Sequence, residues 1–91
     1  QGRIINVHPS LLPKYGGKGF YGLRVHEAVL ENKEAETGVT THLVNAQYDQ
    51  GKILFQERIK VQEDDTPDSL AKKTRPIEHK LIVRTIKQLI K

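Results

Sequence analysis

With 91 residues the chain has room for one domain at most, and a domain of that size buries roughly 60–65% of its unfolded surface. Hydrophobic residues make up 36% and charged residues 29%, without Trp, Met or Cys; this is the balance of a soluble protein, it excludes disulfides and thiolate metal sites, and no apolar run approaches the ~18 residues of a membrane span. The net charge is +4, from 15 Lys and Arg against 11 Asp and Glu, and seven of the basic residues lie between Lys72 and Lys91. No aromatic residue interleaves with them, so they read as the solvated face of a terminal helix rather than a platform for nucleic acid.

Residues 3–7 read as a short strand ending at Pro9, which cannot donate to a ladder. Gln1-Gly2-Arg3 enters that strand almost at once, as expected of a chain cut from something longer. Pro9 to Gly22 is a loop with two Pro and four Gly, a length and composition more often functional than filler. Tyr21 to Asn32 reads as a helix, with Val25, Ala28, Val29 and Asn32 at helical spacing. Glu34 to Thr37 reads as a turn. Val39 to Val44 reads as a strand, with Val39, Thr41 and Leu43 on one face and Thr40, His42 and Val44 on the other. A loop from Asn45 to Gly51 leads to a strand over residues 53–61, and the two strands should pair antiparallel. Thr66 is the expected cap of a last helix with Pro67 as its first residue. Leu70, Ile77, Leu81, Ile86 and Leu89 form its expected apolar stripe, and Pro76 should kink it or begin a second helix. The first strand has no partner identifiable from sequence.

The chemistry concentrates in Asn6-Val7-His8-Pro9-Ser10-Leu11-Leu12-Pro13 and in Asp49-Gln50-Gly51. Positions two apart on a strand share a face, so Asn6 and His8 are presented side by side at a strand's carboxyl end. An imidazole accepts and returns protons near neutral pH, a carboxylate beside it favours its charged form, and a neutral amide can donate to an oxyanion. Asn6, His8 and Asp49 together suit acyl-type transfer through a tetrahedral intermediate. On spacing alone a His before Pro has an ordinary structural reading too, and both readings stay open at this point. Ser10 lacks a nucleophile elbow and reads as a cap or turn residue. His26-Glu27 begins like a zinc helix motif, but Leu30 stands where the second His belongs, so no metal is expected. Gly16-Gly17-Lys18-Gly19 lacks the spacing of a phosphate-binding P-loop. His42 and Thr40 share a strand face and read either as support for the site or as plain packing.

Further segments follow in order: His26-Glu27-Ala28-Val29-Leu30-Glu31-Asn32, Thr37-Gly38-Val39-Thr40-Thr41-His42-Leu43-Val44, Tyr48-Asp49-Gln50-Gly51-Lys52-Ile53-Leu54, and Asp65-Thr66 leading to Glu78-His79. With the Asn6–Pro13 run they resemble the C-terminal half of the phosphoribosylglycinamide formyltransferase family, within the formyltransferase superfamily. The resemblance covers nearly the whole chain. It implies an α/β fold in which residues 1–91 are the C-terminal catalytic part of a formyltransferase-type open sheet (β-loop-α-β-β-α), with the Rossmann-like N-terminal half missing.

It also implies transfer of a formyl group from 10-formyltetrahydrofolate to the amine of glycinamide ribonucleotide, without a metal. Asn6 and His8 would stabilise the oxyanion, and Asp49 would pair with the charged His8 and assist proton transfer through water. The folate would lie against Val44, Asn45, Ala46, Gln47, Tyr48 and Asp49. Pro9 and Glu78 would meet the nucleotide, Glu78 through its ribose hydroxyls. A cis peptide is implied before Pro13. The implied partners are these two substrates and the missing N-terminal half, with no nucleic acid or membrane. A chain without cysteine fits a reducing cytosol, and the expected location is the cytoplasm. The resemblance departs from the family at Ile82-Val83, where a Tyr-Pro is usual, and at Arg75-Pro76. The fragment alone is expected to be inactive. The alternatives are a methionyl-tRNA formyltransferase-like enzyme, which shares the Asn-x-His-Pro-Ser-Leu-Leu-Pro core, and a non-catalytic folate- or anion-binding module.

Overall fold

The computed structural model describes residues 4–16, 19–44 and 52–90. Its elements are β1 (Ile4–His8), α1 (Leu23–Glu31), β2 (Glu36–Val44), β3 (Ile53–Lys60) and α2 (Pro67–Leu89), the expected β-loop-α-β-β-α order. The three strands form one antiparallel sheet in the order β1-β2-β3.

The first strand, expected to lack a recognisable partner, pairs with β2. The register sets Ile5 opposite Leu43, Asn6 opposite His42, Val7 opposite Thr41 and His8 opposite Thr40. Directly opposed residues share a face, so the apolar Ile5 and Val7 are matched with Leu43 and Thr41, and the polar Asn6 and His8 with His42 and Thr40. A one-residue slip would exchange the two sets. β2 begins at Glu36, so of the residues expected to form a turn, Glu34 and Ala35 precede the strand while Glu36 and Thr37 already pair with Lys60 and Ile59 of β3. The expected β2–β3 pairing is present, with an irregularity between Thr41 and His42.

The two sheet faces have different covers. On the face of Thr41, Phe55 and Glu57 lies α2. Thr85 Oγ1 is 2.8 Å from Thr41 Oγ1, the Arg84 guanidinium stacks 4.8 Å from the Phe55 ring centre, and Lys80 Nζ lies 3.5 Å from Glu57 Oε1. α1 packs against α2, burying Val25, His26, Ala28 and Val29. It is shorter than expected, with Gly22 at its N-terminal cap and Asn32 at its C-terminal cap. The apolar core is small: Val25, Ala28, Val29, Val39, Leu70 and Leu81.

The other face is covered by the loop after β1. At Gly38 a Cβ would lie 2.1 Å from the Glu57 carbonyl oxygen and 2.6 Å from Leu11 Cδ2, so only glycine lets the loop close onto the hairpin here.

α2 opens as the sequence foretells. Thr66 and Ser69 form a reciprocal capping box, with Ser69 N donating to Thr66 Oγ1 at 3.1 Å and Thr66 N to Ser69 Oγ at 2.8 Å. The helix then runs unbroken through Pro76, where a kink or a new start was expected. Pro76 removes the N–H that would reach Lys72; both residues are exposed, so water can take that donor's place. The apolar stripe also differs. Leu70, Thr74, Leu81 and Thr85 are buried, whereas Ile86 is 44% exposed. Positions 70, 74, 81 and 85 keep the 3.6-residue period, and Ile86 falls one step off it. Thr85 is tolerated in the core because its hydroxyl also donates to Leu81 O at 2.7 Å. Among the described residues no helix is long and apolar enough to cross a membrane.

Asp65 ties the entry of α2 to the loop before it. Its Oδ2 accepts from Lys73 Nζ and Gln62 N, each at 2.8 Å, and its Oδ1 accepts from Ser69 Oγ at 2.6 Å. Burial alone would raise its pKa, but the hydrogen bonds from Lys73, Ser69 and the Gln62 amide outweigh it and hold the acid down to about 2. Because the folded value lies below the unfolded one, the contribution is complete above about pH 4 and is lost as pH falls toward 2. A shift of this size corresponds to about 2 kcal/mol. Asp65→Asn is therefore expected to lower unfolding free energy by about 1–2 kcal/mol at pH 7 in urea titrations. The gap should close as the pH is lowered through 4 toward 2; a gap independent of pH would mean that the ionised carboxylate is not its source.

Candidate active site

The site is built on the face of β1 and β2 that α2 does not cover. β1 carries Asn6 and His8 onto that face, and β2 brings His42 and Thr40 opposite them. Asn6 Nδ2 lies 3.4 Å from His42 Nε2, and His42 Nδ1 lies 3.3 Å from Leu43 O. A carbonyl only accepts, so the His42 proton sits on Nδ1 and Nε2 accepts from the Asn6 amide. His42 is 1% exposed, while Asn6 is exposed. The strand pair thus buries the imidazole and leaves the second N–H of the carboxamide, with its oxygen, toward solvent.

His8 is fixed in the other tautomer. Its Nε2 lies 2.5 Å from the Tyr15 carbonyl oxygen, so Nε2 carries the proton and Nδ1 is the ring atom left for chemistry. Pro9, half-buried, ends the strand beside it.

The loop that returns over the sheet is pinned by one buried hydroxyl. Thr40, fully buried, donates from Oγ1 to Ser10 O at 2.7 Å and accepts from Leu12 N at 3.1 Å and from Gln56 Nε2 at 3.0 Å. Gln56 Nε2 also donates to Leu12 O at 2.9 Å. Ser10 Oγ donates to Lys14 O at 2.7 Å, so the serine is a turn residue rather than a nucleophile. The peptide between Leu12 and Pro13 is cis, as the resemblance implies. Thr40 thus bonds the loop to the sheet, and His42 meets Asn6.

His26 is 3% exposed, and its Nδ1 has no hydrogen-bond partner among the described residues. Burial, and then the charge of His8, push its pKa down, which makes it a neutral packing residue. Glu78 is half-buried on α2, three residues before Leu81 and seven before Thr85, on the stripe that faces the sheet. α2 lies on the face opposite Asn6 and His8. Val44 closes β2 opposite Ile4; Asn45, Ala46, Gln47, Tyr48 and Asp49 lie outside the described residues. Among the described residues no group of three His, Cys, Asp or Glu is placed to hold a metal ion.

Three residues escaped the sequence reading. Gln56 occupies an ordinary alternating strand position. Tyr15 and Glu34 are joined by a hydrogen bond of 2.7 Å from the tyrosine hydroxyl to Glu34 Oε2, across a separation that no helical or strand period marks. They line a surface cleft of about 340 Å³ together with Leu11, Lys14 and Arg58; it takes in none of Asn6, His8 or His42.

With this geometry in place, comparison with known proteins is informative. Residues 1–86 match the family model described as formyl transferase. A phosphoribosylglycinamide formyltransferase of Arabidopsis thaliana, named as chloroplastic, is 51% identical over 84 residues, which are 92% of this chain and 29% of that protein. The trifunctional purine biosynthetic protein adenosine-3 of Drosophila melanogaster is 39% identical over 90 residues, 99% of this chain and 6% of that one. The crystal structure of phosphoribosylglycinamide formyltransferase from Bacillus halodurans superimposes with a TM-score of 0.84 at 37% identity, over 99% of this chain and 44% of that chain. The chain thus spans less than half the length of each of these relatives.

Replacing Thr40 by Val keeps its shape and removes the hydroxyl, leaving Leu12 N and Ser10 O without that partner. The expected cost is about 1–3 kcal/mol of unfolding free energy, with faster hydrogen exchange at the Leu12 amide. Unchanged protection at Leu12 would show that the hydroxyl does not hold the loop.

Proposed function

The chain belongs to the formyl transferase family, and on that premise we propose that it carries the catalytic strand of a phosphoribosylglycinamide formyltransferase of purine biosynthesis. The observation that carries the reading is the paired presentation of Asn6 and His8 on one strand face, each with one polar atom already committed and another left outward. The donor of the formyl group is 10-formyltetrahydrofolate and the acceptor is the amine of glycinamide ribonucleotide.

The amine attacks the formyl carbon, and the new C–N bond gives a tetrahedral intermediate whose oxygen carries the negative charge. The outward N–H of Asn6 donates to that oxyanion. The intermediate collapses by breaking the bond to N10 of the folate; the proton lost by the amine is balanced by the proton gained at N10. His8, presenting Nδ1, moves that proton, and Asp49 relays it through water. Asn45 to Asp49 contact the pterin with their backbone. Glu78 remains the proposed ligand of the ribose hydroxyls. Residues 1–91 act as the C-terminal catalytic part of a larger domain, together with a preceding phosphate-binding half, in the cytoplasm. The plant relatives named as chloroplastic make a fractionation experiment the test of that location.

In the full-length enzyme, Asn6→Ala and His8→Asn are each expected to lower kcat by roughly 10²–10⁴-fold, with smaller changes in KM for either substrate. Formyl transfer to glycinamide ribonucleotide, assayed beside charged initiator tRNA, should proceed only with the ribonucleotide. The isolated 91-residue chain is expected to show no transfer; robust turnover by it would overturn the proposed need for a second half.

A further inference from the structure

We infer that Tyr15 and Glu34 are positioning residues for His8: the Glu34 carboxylate clamps the Tyr15 hydroxyl, and the clamped residue holds its backbone carbonyl against His8 Nε2. The inference rests on the proposed catalytic role of His8.

Four observations carry it. First, the acceptor that selects the His8 tautomer is a loop carbonyl, at 2.5 Å, rather than a group in the sheet, so the ring is only as well placed as residue 15. Second, Tyr15 has φ +56°. This is the left-handed region, which a residue with a Cβ enters at a cost and keeps only where its surroundings hold it there. Third, the hold is visible at both ends of the side chain. The ring packs edge-on against Phe20 with centroids 5.9 Å apart, and the hydroxyl donates to Glu34 Oε2 at 2.7 Å. Fourth, Glu34 is itself anchored. Its amide donates to Val29 O at 3.2 Å, behind the end of α1, and its second oxygen takes Lys14 Nζ at 3.2 Å. One carboxylate therefore tethers two successive loop residues to the end of α1.

The electrostatics agree with the geometry. Burial first, then the hydrogen bond and charge of Glu34, push the Tyr15 hydroxyl up to about 12. The hydrogen bonds from Tyr15 and Lys14 lower Glu34. At neutral pH the pair is a protonated phenol on an ionised carboxylate, the stronger kind of hydrogen bond. Released from it, Tyr15 can leave the left-handed region. That rotation swings its carbonyl off His8, whose ring is then free to turn and to exchange tautomers.

The test uses the full-length enzyme with Tyr15→Phe, Glu34→Ala, Glu34→Gln and His8→Asn, each checked for folding by thermal denaturation. Tyr15→Phe and Glu34→Ala should lower kcat by roughly ten- to hundredfold with KM for both substrates within about twofold, since neither side chain meets substrate. In ¹⁵N-histidine NMR spectra the hydrogen-bonded Nε2 proton of His8 should be sharp in the wild type and exchange-broadened in both variants. Glu34→Gln, which keeps an acceptor for the phenol, should retain most of the activity and the signal. If His8→Asn abolishes transfer while Tyr15→Phe and Glu34→Ala keep wild-type kcat and a sharp Nε2 proton, the positioning inference is wrong and the role of His8 stands. If His8→Asn itself retains transfer, the catalytic reading fails instead.

Discussion

The antiparallel pairing of β1 with β2 is the constraint on which the rest depends. It does two things with one register. It places Ile5 and Val7 beside Leu43 and Thr41, on the side covered by α2, and Asn6 and His8 beside His42 and Thr40 on the side that stays open to chemistry. Because strand side chains alternate with a period of two, these cannot be set separately. The fold and the candidate site are therefore one decision: a slipped register would put the amide and imidazole under a helix and the isoleucine on the opposite face.

Polar groups are buried on both sides of the sheet. Thr37, Thr40, Thr41, Thr74 and Thr85 are all buried, alongside Ser10, His26 and His42. Apolar burial is non-directional and would leave the loop after β1 free to settle in several ways on a small core. A buried hydroxyl with defined partners does not allow that, because a shifted loop leaves a donor or acceptor unmet. Thr40 fixes where the loop lands, Gly38 lets it approach, and the capping box with Asp65 fixes where α2 begins. Directional bonds here supply a definition that six buried apolar side chains do not.

The sequence was legible where periodicity or local chemistry speaks. Pro9 marks the end of β1, the alternation of β2 sorts its faces, and Thr66-Pro67 marks the start of α2. It was silent where tertiary context decides. No turn signal joins β1 to β2, since a long loop and a helix intervene, so their pairing could not be read. Thr74 looks like a surface residue until Ala71 O supplies its partner, and Thr85 until Leu81 O and Thr41 supply theirs, which is why Ile86 was wrongly placed in the core. Pro76 looks like a break until it and Lys72, whose carbonyl loses its donor, are seen to be exposed. Asn6 and His8 were legible as a pair through their spacing and the family motif. The Tyr15–Glu34 link was not, because a contact across a folded loop leaves no regular interval in the chain.

The two imidazoles on the site face carry their protons on different atoms, and this bears on what each can do. His8 is bound through Nε2 to a carbonyl and shows Nδ1; His42 is bound through Nδ1 to a carbonyl and shows Nε2 to Asn6. His42 is enclosed and meets a donor, so its neutral form orients the carboxamide: with Nε2 accepting, the amide nitrogen is drawn inward with one hydrogen and the second is aimed outward. His8 is only half-buried and meets an acceptor. Backbone carbonyls thus set the two rings in opposite senses: His42 turns Nε2 to the Asn6 amide, and His8 turns Nε2 to the loop.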